Sequence, residues 1–101
     1  MGRRSVDNSA LERWRALDAL AVLEKLGCYA KVDSTFEPLT AQGTQRYHVN
    51  VDGQEFELLL CGPKFFDTRL NRGGGGAVDL VMHVLHVDFK GATNTLARLA
   101  V

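Results

Sequence analysis

The residues best suited to chemistry form one short strip, Asp79, His83 and His86. Their spacing of four and then three residues places all three on one side of a helix, where a carboxylate and two imidazoles could hold a metal ion. The alternative is the solvent edge of an otherwise apolar helix, with Asp79 favoured by the positive end of the helix dipole. We expect the solvent edge, and we predict neither a metal site nor a cofactor.

A run of glycines, Gly73 to Gly76, stands directly before this helix. Free backbone amides at a helix N-terminus can hold a phosphate group. The run lacks the Gly-Lys-Ser/Thr of a P-loop and the strand–helix–strand setting of a dinucleotide site. A tight turn in which a Cβ would clash also explains the glycines, and we favour it. Gly74 and Gly75 nevertheless remain candidates for a phosphate contact.

The side chains that could act as nucleophile or base stand alone. His48 has no second group placed for catalysis, and it can pair across a hairpin with Glu57. Cys28 and Cys61 form no paired motif and have no histidine partner close in sequence. We therefore predict no catalytic residues and no enzymatic activity. Unpaired cysteines indicate a reducing cytoplasm.

Basic residues around an aromatic side chain suggest nucleic-acid binding. The candidates are Arg46, Lys64, Phe65, Arg69 and Arg72. Phe65 and Arg69 would share one face of a strand, where the ring stacks on a base and the guanidinium meets a phosphate. The alternative is ordinary surface charge, with Phe65 in the core. Because 12 basic residues balance 12 acidic ones, a strongly basic clamp is excluded and any binding would be weak and salt-sensitive.

The chain has the size and composition of one folded domain. It has 101 residues, of which 46% are hydrophobic and 24% charged. We predict a flexible segment over residues 1–9 and a single domain over residues 10–101. No apolar run approaches the roughly 20 residues of a membrane span, and no signal peptide is evident.

The first predicted element is one helix from Ala10 to Leu26, ending at Gly27. Its leucines recur every third residue, so the apolar stripe drifts around the helix and two faces result. One face would cover the core. The other, which carries Leu11, Trp14 and Leu17, would meet a partner or a second copy of the chain. A bend that keeps both faces inside is the alternative.

A β meander is predicted to follow, with strands near Cys28–Val32 and on both sides of Asp52-Gly53, a pair typical of a type I′ turn. That turn pairs Val49 with Phe56 and His48 with Glu57. The buried face would carry Tyr47, Val49, Phe56 and Leu58. The open face would carry Arg46, His48, Asn50, Glu55 and Glu57.

The rest of the chain predicts a third meander strand, a loop and two helices. The strand would span Lys64–Leu70 and the loop Asn71–Gly76. An almost entirely apolar helix would span Ala77–Leu85 and be buried on most sides. Asp88 would cap the last helix. The inner stripe of that helix would be Phe89, Ala92, Leu96 and Leu99. This order predicts the α+β class.

Several motifs of the last third occur together in a known family. They are the aromatic pair Phe65-Phe66, the run Gly73 to Gly76, Ala77-Val78-Asp79, and Phe89-Lys90-Gly91-Ala92. In order and spacing they resemble the CHC2-type zinc-ribbon domain of bacterial DNA primases, particularly the variants on plasmids and other mobile elements. The resemblance implies a zinc-ribbon-like antiparallel meander with an N-terminal helix and two C-terminal helices.

The family's zinc ligands are missing from this chain. The resemblance aligns Gln45 and His48 with the first ligand pair, and Thr68 and Asn71 with the second. Neutral Thr, Asn and Gln side chains cannot form a tight zinc site. We therefore expect a zinc-free form of the domain.

Primase zinc ribbons contact single-stranded template, so the resemblance implies a non-catalytic module that binds single-stranded DNA during replication or transfer of a mobile element. It could belong to, or assist, a longer primase-like protein. The alternative is a protein-interaction or dimerisation module that docks on a replication protein through the first helix.

Overall fold

Four helices and five strands occupy residues 8–36 and 43–101, which are the residues that the computed structural model describes. The elements are α1 (Asn8–Arg15), α2 (Ala19–Lys25), β1 (Tyr29–Val32), β2 (Gln45–Val51), β3 (Gln54–Cys61), β4 (Lys64–Asp67), β5 (Arg72–Gly74), α3 (Ala77–Leu85) and α4 (Phe89–Leu99). The predicted α+β class is confirmed. Asn8 and Ser9 belong to α1, so the prediction of a flexible segment over residues 1–9 is wrong at these two residues. Residues 1–7 lie outside the described part.

The strands form one antiparallel sheet in the order β1-β2-β3-β4-β5, a simple meander. The predicted hairpin register is confirmed, with Val49 opposite Phe56 and His48 opposite Glu57. Asp52 and Gly53 have φ values of 51° and 87°, as a type I′ turn requires.

Alternation along the strands gives the sheet two unlike faces. The inner face packs against the helices and carries most of the buried apolar side chains that the strands contribute to the core. Its buried residues are Val49, Val51, Phe56, Leu58, Leu60, Phe65 and Asp67. The opposite face, called the open face below, carries the charged residues of β2 and β3, as predicted, and none of the described helices packs on it.

The predicted single helix Ala10–Leu26 is wrong, because the chain bends into α1 and α2. The Asp18 carboxylate caps α2 by accepting a hydrogen bond from Ala21 N at 3.3 Å. Ala19 N donates to Gly62 O at 2.7 Å, which fixes the bend against the turn between β3 and β4. The bend turns both apolar faces inward, which was the alternative left open by the leucine spacing.

The C-terminal helices begin where the sequence predicts. α3 has the predicted bounds and buries Leu80, Val81 and Val84. Asp88 caps α4 through a 2.8 Å hydrogen bond from Gly91 N. Ala92 and Leu96 are buried as expected, but Phe89, predicted for the inner stripe, is 50% exposed.

The predicted third strand and glycine loop need correction. β4 ends at Asp67, not Leu70, and the predicted loop Asn71–Gly76 contains β5. β4 stops because the Asp67 carboxylate accepts hydrogen bonds from the amides of Arg69 and Leu70, each at 3.0 Å, which turns the chain.

Candidate nucleic-acid surface

The two phenylalanines of β4 face opposite sides of the sheet. Phe65 is 5% exposed and lies in the core, whereas Phe66 is 38% exposed on the open face. The prediction that Phe65 and Arg69 share an accessible strand face is therefore wrong. Strand alternation makes Phe66, not Phe65, the aromatic that can stack on a base.

Phe66 is supported by its cross-strand neighbours. It stands between Leu59 of β3 and Gly73 of β5 in the sheet register. A Cβ on Gly73 would lie 2.7 Å from Phe65 O and 2.9 Å from Phe66 Cδ1, so glycine is needed for the ring to lie against β5. Gly74 is equally constrained, since its Cβ would lie 2.7 Å from Asp79 Cβ.

Lys64 lies on the same open face as Phe66, two residues before it in β4. Its side chain is exposed, and it forms no ion pair within residues 8–36 and 43–101. Lys64 and Phe66 therefore combine an uncompensated positive charge with an accessible aromatic ring. We call these two residues the β4 patch.

Arg46, another predicted DNA contact, is already paired on the open face. Its guanidinium lies 2.9 Å from Asp33 and 3.4 Å from Glu57, and it sits over the Phe36 ring at 5.1 Å. Hydrogen bonds from Thr35 and then Arg46 hold the pKa of Asp33 below its usual value. Arg46 is thus already held by two carboxylates.

The other two arginines predicted to contact DNA, Arg69 and Arg72, lie on opposite faces of the sheet. Arg69, in the turn after β4, lies at 3.7 Å from Glu57 on the open face. Arg72 stands opposite Asp67 in the register, on the helix side. There it lines a groove of about 440 Å³ with His83 and Asp79. The structure does not bring Arg46, Arg69 and Arg72 onto one surface with Phe65.

A buried pair, Asp67 and His83, was missed by sequence reasoning. His83 Nε2 donates to Asp67 Oδ2 at 2.7 Å, and both side chains are buried. The imidazole lies near the rings of Phe56 and Phe65, with centroid distances of 5.7 and 5.4 Å. The available signal was the alternation of β4, which turns Asp67 inward beneath an apolar helix.

The ionisation of Asp67 follows from its hydrogen bonds. Burial alone would raise the pKa of Asp67. The hydrogen bond from His83 and the amides of Leu70 and Arg69 outweigh that effect and leave the pKa below its usual value. Asp67 is therefore an ionised structural link between β4, the following turn and α3.

The three polar residues of α3, Asp79, His83 and His86, do not form a single site. His83 is bonded to Asp67 and is not at a solvent edge, while His86 Nε2 lies 2.8 Å from Gln54 Oε1. Asp79 accepts from Gly75 N at 3.4 Å at the start of the helix. In the part of the chain that the structure describes, no three His, Cys, Asp or Glu residues are grouped to hold a metal ion.

The positions aligned with the family's zinc ligands do not fit zinc. Gln45 begins β2, and His48 lies 3.5 Å from Asp33 on the open face. Thr68 Oγ1 donates to Glu57 O at 3.4 Å. Thr68 and Asn71 offer only neutral oxygen and amide groups, so no thiolate-based site can form.

The predicted partner face of the first helix is largely inside the molecule. Trp14 is 2% exposed, and its Nε1–H donates to Val101 O at 2.8 Å. Leu11 and Leu17 are half-buried and pack against the core. Trp14 thus connects α1 to the C-terminal end of the chain, and its assignment to an accessible partner face is wrong.

Comparison with known proteins identifies no family. No family model matches the chain, and no solved structure matches it. A 42-residue stretch is 45% identical to a "65 kDa protein" of Zymomonas mobilis subsp. mobilis. The match covers 42% of this chain and 7% of that protein's length. None of the helices within the described ranges is long and apolar enough to span a membrane.

Proposed function

We propose that the protein is a non-catalytic module that binds single-stranded DNA through the β4 patch. The observation that carries this proposal is the exposed ring of Phe66 on a sheet face that no described helix covers. An exposed aromatic on a sheet offers a stacking surface for any base. Duplex DNA presents no free base faces, so the geometry favours single strands.

Phosphate contacts would come from the cations beside the ring. Lys64 is exposed without an ion pair in the described ranges, and the Arg69 side chain is 57% exposed with one long contact to Glu57. Arg46 contributes less, because Asp33 and Glu57 already hold it. With zero net charge, affinity is weak and falls as salt rises.

The biological setting rests on the motif resemblance to primase zinc ribbons. That resemblance supports action in the cytoplasm of a bacterium, in replication or transfer of a plasmid or other mobile element. The module would work within, or beside, a longer primase-like protein and would supply template contact without polymerisation.

Fluorescence anisotropy with labelled single-stranded and double-stranded oligonucleotides, each at two salt concentrations, tests this function. We expect saturable binding that prefers the single strand and weakens with salt. Phe66→Ala should weaken binding about fivefold to 150-fold, because one stacked base contributes about 1–3 kcal/mol.

The matched control is Phe89→Ala. Phe89 is also an exposed phenylalanine, but it lies at the start of α4 and lines a groove with Leu11 of α1, not the open face. It should leave DNA affinity unchanged. Equal losses in both variants, or no binding to either oligonucleotide at low salt, would contradict the proposed function.

A protein-interaction module is the second candidate. It is favoured by a groove of about 380 Å³ beside α1, lined by Leu11, Val78 and the exposed Phe89. Docking there on a replication protein would use the accessible edge of α1 in place of Trp14. In that case Phe89→Ala would abolish complex formation, and Phe66→Ala would not.

A further inference from the structure

We propose that β1 pairs with β1 of a second copy of the chain, giving a two-fold symmetric dimer with a continuous ten-stranded sheet. The partner is thus this chain itself, and the interface is the outer edge of the sheet. The proposal does not rest on DNA binding. It rests on the backbone, side chains and charges of β1.

The outer edge of β1 presents unpaired backbone groups. Asp33 N donates to Arg46 O of β2 at 2.7 Å. Hydrogen-bonded positions alternate along an antiparallel strand, so Tyr29 and Lys31 also face β2. Ala30 and Val32 therefore direct their N–H and C=O groups away from the sheet.

The opposite edge of the sheet is protected, and the contrast singles out β1. β5 is three residues long, and only Gly73 points its backbone outward. The amide of Gly75, next along that edge, donates to Asp79 at 3.4 Å. Short edges and covered amides prevent strand pairing. β1 is longer and carries no proline.

The side chains of β1 are also unusually apolar for an exposed edge. Tyr29 is 66% exposed and Val32 is 42% exposed. The two residues lie on opposite faces of the sheet, so a partner strand would cover both. Lys31 is the one charged residue within the strand, and it forms no ion pair with any described residue.

Self-pairing is specific in register. Outward-facing residues must pair with each other, which allows a two-fold axis at Tyr29, Ala30, Lys31 or Val32. An axis at Tyr29 would pair Ala30 only with Cys28, whose N–H already donates to Leu23 O at 3.1 Å. An axis at Lys31 places the two lysines opposite each other, which is repulsive. An axis at Val32 extends the pairing to Ser34, which already belongs to a turn.

An axis at Ala30 uses only residues 28–32 and pairs Tyr29 with Lys31 of the second copy, twice. An ammonium group beside a tyrosine ring is a favourable cation–π pair. On the inner side Val32 meets Cys28 of the second copy, an apolar contact. Ala30 pairs through both its N–H and its C=O, and Val32 N donates to Cys28 O of the second copy, while Cys28 N keeps its own hydrogen bond to Leu23 O at 3.1 Å. This register therefore pairs the outward groups of Ala30, covers the apolar side chains and places the free charge of Lys31 beside Tyr29.

The dimer would place both open faces on the same side of the sheet, since the two-fold axis is perpendicular to it. The interface is small, so association is weak and concentration-dependent. Sedimentation velocity over a concentration range of about a hundredfold is therefore the measurement. We expect the monomer to convert to a dimer within that range.

Ala30→Pro removes an outward N–H without touching the hydrogen bonds to β2. It should abolish the dimer, whereas the matched control Ala30→Ser keeps the N–H and should retain it. Circular dichroism verifies that each variant folds. A chain that stays monomeric at every concentration, or a dimer that survives in folded Ala30→Pro, would overturn the proposal.

Two variants with opposite charges at position 29 test the proposed dimer even if the Ala30→Pro protein does not fold. Tyr29→Glu places a carboxylate opposite Lys31 of the second copy and should keep or tighten the dimer. Tyr29→Lys places two positive charges opposite each other and should weaken it about tenfold. Equal effects of the two substitutions would exclude this register and overturn the proposal.

Discussion

Phe65 and Phe66 are adjacent in sequence and differ in almost every physical respect. Phe65 lies in the core at 5% exposure, with its ring centroid 5.4 Å from that of the His83 imidazole. Phe66 lies on the open face, at 38% exposure. One residue step along a strand separates a side chain that stabilises the fold from one that is free to bind.

The difference extends to the two faces of the sheet. On the inner face, Asp67 and His83 form a buried pair, and the Asp67 carboxylate also accepts hydrogen bonds from the amides of Arg69 and Leu70. On the open face, charged side chains form a half-buried network around Arg46 and Glu57. Substitutions on the inner face should therefore change stability, and substitutions on the open face should change binding.

The largest expected effect is the loss of stability in Phe65→Ala. Removing a buried phenylalanine should lower the free energy of unfolding by about 3–5 kcal/mol. Phe66→Ala should lower it by less than about 1 kcal/mol, since its ring is partly in solvent. Urea denaturation followed by circular dichroism measures both values. Equal losses of stability in the two variants would contradict the distinction between a buried Phe65 ring and an exposed Phe66 ring.

The next largest effect is expected for Asp67→Ala. The substitution leaves His83 and the amides of Arg69 and Leu70 without their acceptor, and should destabilise the protein by about 3 kcal/mol. The measured quantity is again the midpoint of urea denaturation. A neutral result would mean that Asp67 does not link β4 to α3.

Asp67 also makes stability depend on pH. Because its pKa is lower in the folded protein than in the unfolded chain, its contribution is fully present above the ordinary value of about 4 and is lost as pH falls through the folded pKa. Thermal melts from pH 7 downward should therefore show a steeper acid loss in the wild type than in Asp67→Ala. Parallel profiles would contradict this role.

A smaller effect is expected at Trp14. Trp14→Phe keeps an aromatic ring but removes the hydrogen bond from Nε1 to Val101 O. The expected loss is about 1–2 kcal/mol, part from the hydrogen bond and part from the unfilled volume. Differential scanning calorimetry would detect it. An unchanged melting temperature would contradict a stabilising role for the hydrogen bond from Trp14 to Val101.

The smallest effects should separate two cations of the open face. Lys64→Ala should reduce the slope of log affinity for single-stranded DNA against log salt by about 0.7, the value for one phosphate contact. Arg46→Ala should change that slope less, because Arg46 is neutralised by Asp33 and Glu57. Anisotropy titrations over a salt series compare them, and an equal change in slope would contradict the difference.

Much of the fold could be predicted from local sequence signals. Asp52-Gly53 set the hairpin register, and the bounds of α3 followed from its apolar residues and preceding glycines. The break between α1 and α2 could not be derived, because it depends on the contact of Ala19 N with Gly62 O, 43 residues away. Local propensity carries no information on such a contact.

The site was harder to predict than the fold. Choosing between Phe65 and Phe66 required knowing which residues of β4 face the core. The predicted strand continued to Leu70, and this placed Arg69 on the same face as Phe65. The Asp67–His83 pair depends on how α3 crosses the sheet. These are tertiary facts, fixed by packing and not by spacing along the chain.

The most direct test of the open face as the binding surface is a ¹⁵N-correlation NMR titration with a short single-stranded oligonucleotide. Perturbed amides should cluster at Leu59, Lys64, Phe66 and Gly73, while those of α4, such as Leu96, stay in place. Perturbations centred on the helices, or none at saturating oligonucleotide, would contradict the assignment of single-stranded DNA binding to the open face.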